Sequence, residues 1–313
     1  MTSAVNYKVD QIISDIRNNA GLPENDRFLG DQDYVQFLNL MVKSKIVPKM
    51  MGMRLDYFLT TTDYTITSNE DTYALPPDAI GLKLRALHWF NEGTPANSET
   101  NIQYLSPDLI ANSLLNSTIE GFYIKGNNFV LFPIPTNPTP PNDTIRAYYY
   151  RRPHDLVIRT SGAVIESINT GTNQVVVDAM PTAWVVDTTL DAVQQVPPFN
   201  LVAEDITLDA IGGGDTLTLS SVDGLSVGDT LAASGTTIVP MLPVEIHPLL
   251  TQAGVVMALK AKRDTAGVES AQAEYNEMAT DAWALLAPRV DDSPQQITGV
   301  GGISSYIGMT GWY

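Results

Sequence analysis

Val175-Val176-Val177-Asp178 leads through Met180 to Val186-Asp187-Thr188-Thr189-Leu190, and Leu217-Thr218-Leu219-Ser220 leads through Val222 to Val227-Gly228-Asp229-Thr230-Leu231. Each stretch reads as a strand, a short turn and a second strand with an Asp-Thr opening. Two such units can pair into a small sandwich or barrel. The same likeness also arises by coincidence in sequence this rich in Thr, Val and Asp. The surrounding span, 158–243, has no helical period. It holds ten acids, Glu166, Asp178, Asp187, Asp191, Glu204, Asp205, Asp209, Asp215, Asp223 and Asp229, against the single base Arg159. That balance of −9 is over half of the net charge of −17, and the span reads as a separate all-β insertion.

Outward from this span the period changes. On its N-terminal side, Val5, Val9, Ile12, Ile13 and Ile16 share one helical face, with Thr2 or Ser3 as cap. Gly21-Leu22-Pro23 stops that helix. Asp31 is the expected cap of a second helix bearing Tyr34, Phe37, Leu38, Met41 and Val42, which Pro48 interrupts. On the C-terminal side, Pro248 opens a helix through Leu249, Leu250, Val255, Val256 and Leu259. A further helix carries Ala271, Tyr275, Met278, Ala282 and Leu285.

Between the first helices and the insertion, Tyr57, Leu59, Tyr64, Ile66, Tyr73 and Leu75 sit among threonines, a strand signature. Leu82, Leu84, Ala86 and Leu87 predict another strand. Gly126-Asn127-Asn128 lies between the apolar flanks of a hairpin spanning Phe122 to Phe132. Thr144 to Arg152 is a further strand containing Tyr148-Tyr149-Tyr150. Together these patterns predict an α+β fold. A helical bundle of N-terminal and C-terminal helix pairs packs on a small antiparallel sheet, with an all-β insertion and an extended C-terminal tail. The expected units are a core of 1–157 with 244–288, the insertion 158–243 and the tail 289–313.

The tail is rich in glycine, yet Ile297, Val300, Ile303, Tyr306, Ile307, Met309, Trp312 and Tyr313 are apolar or aromatic. A purely disordered segment avoids such residues. Spaced apolar anchors on a pliable backbone suit a chain that lies along a partner's surface. The alternative is that the tail packs back on its own domain.

The chain has 313 residues, 44% of them hydrophobic, ample for a large core. No apolar run is long enough to span a bilayer, and the first residues lack the pattern of a signal peptide. There is no cysteine, which excludes disulfides, thiolate metal sites and a cysteine nucleophile. A net charge of −17 argues against a grip on nucleic acid, since that affinity comes largely from neutralising phosphates. The acidity fits ordinary solubility, and it equally fits a surface past which DNA slides.

One succession of motifs carries a resemblance. Tyr73-Ala74-Leu75-Pro76-Pro77-Asp78 is followed by a strand, then by Gly121-Phe122-Tyr123-Ile124-Lys125-Gly126-Asn127, by Phe129-Val130-Leu131-Phe132-Pro133, and by Ala147-Tyr148-Tyr149-Tyr150-Arg151-Arg152-Pro153 with Leu156. In this order, with helix pairs at both ends, the chain resembles the head-to-tail adaptor (connector) proteins of tailed bacteriophages over residues 1–157 and 244–288. The insertion departs from that family's minimal pattern. The resemblance implies a non-enzymatic virion protein of the neck, made in the host bacterial cytoplasm. It implies a homo-oligomeric, dodecameric ring bound to the portal protein above and to tail, nozzle or tail-terminator proteins below, with DNA passing through unbound and no membrane involved. It also implies that the C-terminal segment reaches the portal.

Motifs for chemistry are absent. His88, His154 and His247 are isolated and show no zinc spacing. Gly212-Gly213-Gly214-Asp215 lacks the Lys-Ser or Lys-Thr of a phosphate loop. Asp205, Asp209 and Asp215 are hard oxygen ligands for calcium in principle, but their order does not match an EF-hand. No cofactor is expected. Arg146, Arg151 and Arg152 are candidates for ion pairs across a subunit interface. A rival reading is a receptor- or glycan-binding virion protein, for which exposed aromatics in the insertion are the required feature; only Trp184 and Phe199 are available. A third is a cell-wall hydrolase working through paired carboxylates.

Overall fold

The computed structural model describes residues 8–24, 26–53, 56–91, 99–106, 119, 121–135 and 143–286. The tail 289–313 lies outside them.

Helix α1 (Val9–Asn19) buries Val9, Ile12, Ile13 and Ile16, one apolar stripe at helical spacing. The expected caps Thr2 and Ser3 lie outside the described residues, and Lys8, at the cap position, makes no side-chain cap hydrogen bond. Instead the Val9 N–H donates to Ile238 O at 3.0 Å, so a distant segment satisfies an orphan donor of the first turn. Helix α2 (Asp31–Met41) starts one residue earlier than expected, with Gly30 at the cap and the Asp33 carboxylate accepting the Gly30 N–H at 2.8 Å. It runs into a π-helical turn, Val42–Ile46, and then α3 (Val47–Met53). Pro48 explains the wide turn, since it lacks an N–H and its ring crowds the carbonyl four residues back. Helix α4 (His247–Ala261) is buried on nearly all sides, between α1, α2 and α5 (Thr265–Leu285). Gly254 faces Ile16 and Leu38, and a Cβ there would collide with Ile16, so glycine lets α4 approach α1. Leu285, assigned to the apolar face of α5, is exposed.

The chain is mostly β, which overturns the expectation of a helical bundle on a small antiparallel sheet. Strands β1 (Leu59–Thr65), β2 (Thr72–Ala74), β3 (Ala79–Asn91), β4 (Glu99–Tyr104), β5 (Gly121–Lys125), β6 (Asn128–Phe132) and β7 (Asp143–Arg151) form one seven-stranded sheet in the order β1-β7-β3-β4-β5-β6-β2. The sheet is also not purely antiparallel, because β4 and β5 run parallel. It has a core of its own, including Tyr73, Leu87, Phe129, Leu131 and Ile145, while the helices pack a separate core with Leu38, Ile46, Met50 and Leu250 that meets the sheet at Leu59, Ile80 and Tyr150. Local period reveals most of these strands, though not β4 (Glu99–Tyr104), and it does not reveal how many join one sheet, because the pairings are non-local. The sheet curls into a half-barrel. Its two edges meet without backbone pairing, and the Tyr64 hydroxyl donates across the gap to Ala74 O at 2.8 Å.

A second β unit closes completely. Strands β9 (Gly162–Asn169), β10 (Gln174–Val177), β11 (Thr189–Val193), β12 (Leu201–Ile211), β13 (Thr216–Leu219) and β14 (Thr230–Ala233) form a barrel ordered β10-β13-β12-β11-β14-β9. This ring of pairings is unchanged when β9, β10 and β11 exchange with β12, β13 and β14. The hydrogen bonds repeat too. The Asp187 N–H donates to Leu208 O (2.8 Å) and the Leu208 N–H to Thr188 O (2.9 Å). In the other half the Gly228 N–H donates to Ile165 O (2.8 Å) and the Ile165 N–H to Asp229 O (2.9 Å). Asp187 and Gly228 both have positive φ, 69° and 96°, as do Asn173 and Asp215, 51° and 57°. The two halves of the sequence are thus one motif built twice, with Leu190 equivalent to Leu231 and the Asp-Thr pairs offset by one residue. The interior takes Ala163, Ile165, Val175, Val177, Leu190, Leu208, Leu217, Leu219 and Leu231 from both halves. Each such Val, Ile or Leu contributes about 1.5–3 kcal/mol on burial.

Residues beyond the barrel rejoin the core. β8 (Asp155–Leu156) pairs parallel with β15 (Thr236–Thr237), and Leu242 lies in the helical core. Phe199, Ile238 and Val239 form a small cluster where a barrel loop meets this segment.

Candidate functional site

The half-barrel and the barrel meet at Arg151. Strand β7 ends there, and its guanidinium donates from Nε to Asp78 Oδ2 (2.9 Å) and from Nη2 to the Tyr149 hydroxyl (3.2 Å) and Glu204 Oε2 (2.8 Å). Glu204 reaches out because β12 bulges. Across from it β11 advances from Leu190 to Ala192 while β12 goes from Ile206 to Ala203, one residue more. Asp205 takes the left-handed φ of 53°. The buried Asp191 carboxylate pins the bulge, accepting the Asp205 N–H at 2.8 Å and the Gly235 N–H at 2.7 Å. Burial pushes the Glu204 carboxyl up against the opposing pull of Arg151. Burial also drives the neighbouring His154 imidazole below its ordinary range, against the pull of the Asp191 carboxylate 3.5 Å away. A cleft of about 630 Å³, lined by Thr62, Tyr64, Asp78, Tyr149 and Glu204 among others, opens beside this junction.

On the outer face of the half-barrel, Arg146 makes a bidentate pair with Asp63 (2.9 Å to each oxygen) and a third bond to Glu99 Oε1 (2.8 Å). Hydrogen bonds from Tyr148 and contact with His88 hold the Glu99 carboxyl below its usual range. Strand alternation puts Tyr149 on the face opposite Tyr148 and Tyr150; Tyr148 is part-exposed, Tyr149 is buried, and Tyr150 is buried against the helical core. Arg146 and Arg151 therefore serve contacts within the chain. Arg152, the third arginine singled out from the sequence, is exposed and forms no ion pair among the described residues.

The acids of the barrel are distributed unequally. Asp191 and Asp229 are buried, whereas Glu166, Asp178, Asp187, Glu204, Asp205, Asp209, Asp215 and Asp223 are exposed. Arg159 holds Asp178 and Arg151 holds Glu204. The other exposed acids have no ion pair among the described residues. Trp184 and Phe199, the aromatics on which a glycan platform would depend, are both buried. Among the described residues no three His, Asp or Glu side chains converge to hold a metal ion, and no helix is long and apolar enough to cross a membrane. The third histidine, His247, is packed against the Phe199 ring with centroids 4.8 Å apart, and burial lowers its pKa to about 4.

Ile297, Val300, Ile303, Tyr306, Ile307, Met309, Trp312 and Tyr313 lie outside the described residues. The sequence reading missed the Glu204–Arg151 pairing and the Asp191 anchor. No local signal marks them, because each joins residues far apart in the chain.

A family model described as SU10 adaptor protein matches residues 7–185, more than half of the chain. The match covers α1 to α3, the half-barrel and the first hairpin of the barrel, so it extends past residue 157 into the span read as an insertion. No curated protein is significantly similar to the chain. With the helical layer, the half-barrel and the first barrel hairpin all inside the match, the chain belongs to the SU10 adaptor protein family, a bacteriophage head-to-tail adaptor family of virion components.

Proposed function

We propose that this chain forms a dodecameric ring under the portal, joins capsid to tail at the neck and lines part of the DNA exit path, catalysing nothing. The observation that carries this reading is membership of the adaptor family over the larger part of the chain. The exposed acids of the barrel add physical support. Unopposed carboxylates repel phosphate, so a channel they border lets DNA pass without retention. The portal protein and the tail or nozzle proteins are the proposed partners. A core of 1–157 and 244–288 carries the ring, the insertion 158–243 supplies the acidic surface, and the tail 289–313 binds the portal or the neighbouring subunit through its apolar residues. Of the three candidate arginines, Arg152 is the one with a side chain unspent among the described residues. Arg146 and Arg151 act on a subunit interface by holding the surface that presents it.

Deleting residues 289–313 tests the reading. The shortened protein is expected to stay soluble and folded but to lose attachment to portal-bearing particles. A truncated chain that attaches as fully as the intact one removes the tail as tether. Electron micrographs of particle necks that lack this polypeptide reject the assignment altogether.

A further inference from the structure

An apolar groove of about 410 Å³ lies between α3, the π-helical turn before it and β3. Val47, Met51 and Ile80 form its floor, and Lys43, Lys83 and Arg152 stand at its rim. Asp155 holds Lys43 at 2.7 Å, while Lys83 and Arg152 have no ion pair among the described residues. Residues 42–53 contain no acid, and Lys45 and Lys49 are exposed there. In a chain of net charge −17, this is a cationic rim around an apolar floor.

The barrel carries the converse feature. In the turn before β11, Val185 and Val186 are 62% and 47% exposed despite being apolar. Asp187 closes that turn, and its N–H bonds Leu208 O, which places the exposed Asp209 in the adjoining strand. This is an apolar knob flanked by carboxylates.

We propose that the groove of one copy receives the 185–187 turn of a second copy. Valines fill the apolar floor, and Asp187 and Asp209 meet Lys83 and Arg152. Such charge complementarity favours this partner and fixes its orientation. The rim cations would pair with phosphates as readily as with carboxylates, but the apolar floor gives a nucleic acid nothing to fill it, whereas the valines do. Because groove and knob are different surfaces of the same chain, the contact is head-to-tail. Repeated, it closes into a ring or continues as a filament, according to the rotation per subunit. The inference rests on the ring reading above and names the surfaces that build it.

The chain has no cysteine, so Met51→Cys with Val186→Cys creates a single thiol pair. Assembled particles carrying this full-length variant, oxidised and run without reductant, are expected to yield a ladder of covalent multimers. Neither single variant should do so. Lys83→Cys replaces Met51→Cys if the latter disturbs α3. Lys83→Glu is expected to weaken multimer formation, and adding Asp209→Lys to restore it; Asp209 is chosen because Asp187 needs its left-handed backbone. A multimeric protein that never cross-links, or whose assembly ignores Lys83→Glu, overturns this contact and leaves the ring standing. A wild-type chain that native mass spectrometry finds only as a monomer in particles overturns the ring reading and the contact together. If Lys83→Glu instead abolishes retention of DNA in a gel shift and leaves the ladder intact, the patch belongs to nucleic acid and the contact is wrong.

Discussion

Every barrel strand has two hydrogen-bonded neighbours, whereas the seven-stranded sheet stops short of closure at β1 and β2, where a tyrosine hydroxyl spans the gap. Closure removes exposed sheet edges. The barrel achieves it with a short motif used twice, and its interior residues all come from residues 163–231. The half-barrel draws on strands spread from β1 to β7, and it abuts the helices from both ends of the chain at Leu59, Ile80 and Tyr150. A unit built from repeated local pairings carries its stability within itself. A unit assembled from distant segments leans on the units beside it, and mutations at the junction test that dependence.

Excision tests it most severely. The register places Gly162 opposite Ala232, so the two ends of the barrel lie side by side. Residues 162–233 alone are expected to unfold cooperatively on heating, monitored by circular dichroism. The remainder, rejoined by a short linker, should also unfold cooperatively. Removing 158–243 instead also takes β15, Ile238 and Leu242 from the core, and its cooperative transition should disappear. If the isolated barrel shows no transition, it is not self-sufficient.

A smaller effect sharpens the comparison at His247, which joins α4 to the barrel loop at Phe199. Its folded pKa of about 4 lies below the ordinary histidine value of 6.5. A histidine held neutral by burial stabilises the fold above the unfolded pKa, and that stability disappears as pH falls through the folded pKa. The loss between pH 6.5 and pH 4 should reach about 3 kcal/mol in urea titrations. His247→Gln should remove this pH dependence, and a slope unchanged in the variant rules His247 out as its source.

The mildest test is Arg151→Met. It leaves Asp78 and Glu204 without their shared cation and should cost about 2 kcal/mol. More telling is its shape: calorimetry should resolve two transitions where the intact chain has one, because barrel and half-barrel lose their ionic joint. A single transition of unchanged width would mean that the Phe199 cluster alone couples the units.

Helices α1, α2, α4 and α5, the hairpin around Gly126-Asn127, the acidic character of residues 158–243 and the adaptor resemblance were legible along the chain. Each depends on neighbours a few residues apart: apolar stripes at helical spacing, a loop residue tolerant of positive φ, or plain composition. The repeat was visible as a pattern, but its reality rested on matching hydrogen bonds at Asp187 and Gly228. The balance of helix and strand was misjudged, since strands that look short and separate gain their weight only by pairing. Sheet order, the parallel β4–β5 pair, the bulge that sends Glu204 to Arg151 and the meeting of a cationic groove with an apolar floor came from tertiary structure alone. Strand partners are selected by side-chain packing and backbone hydrogen bonds between segments far apart in the chain, and local periodicity carries no record of which distant segment wins.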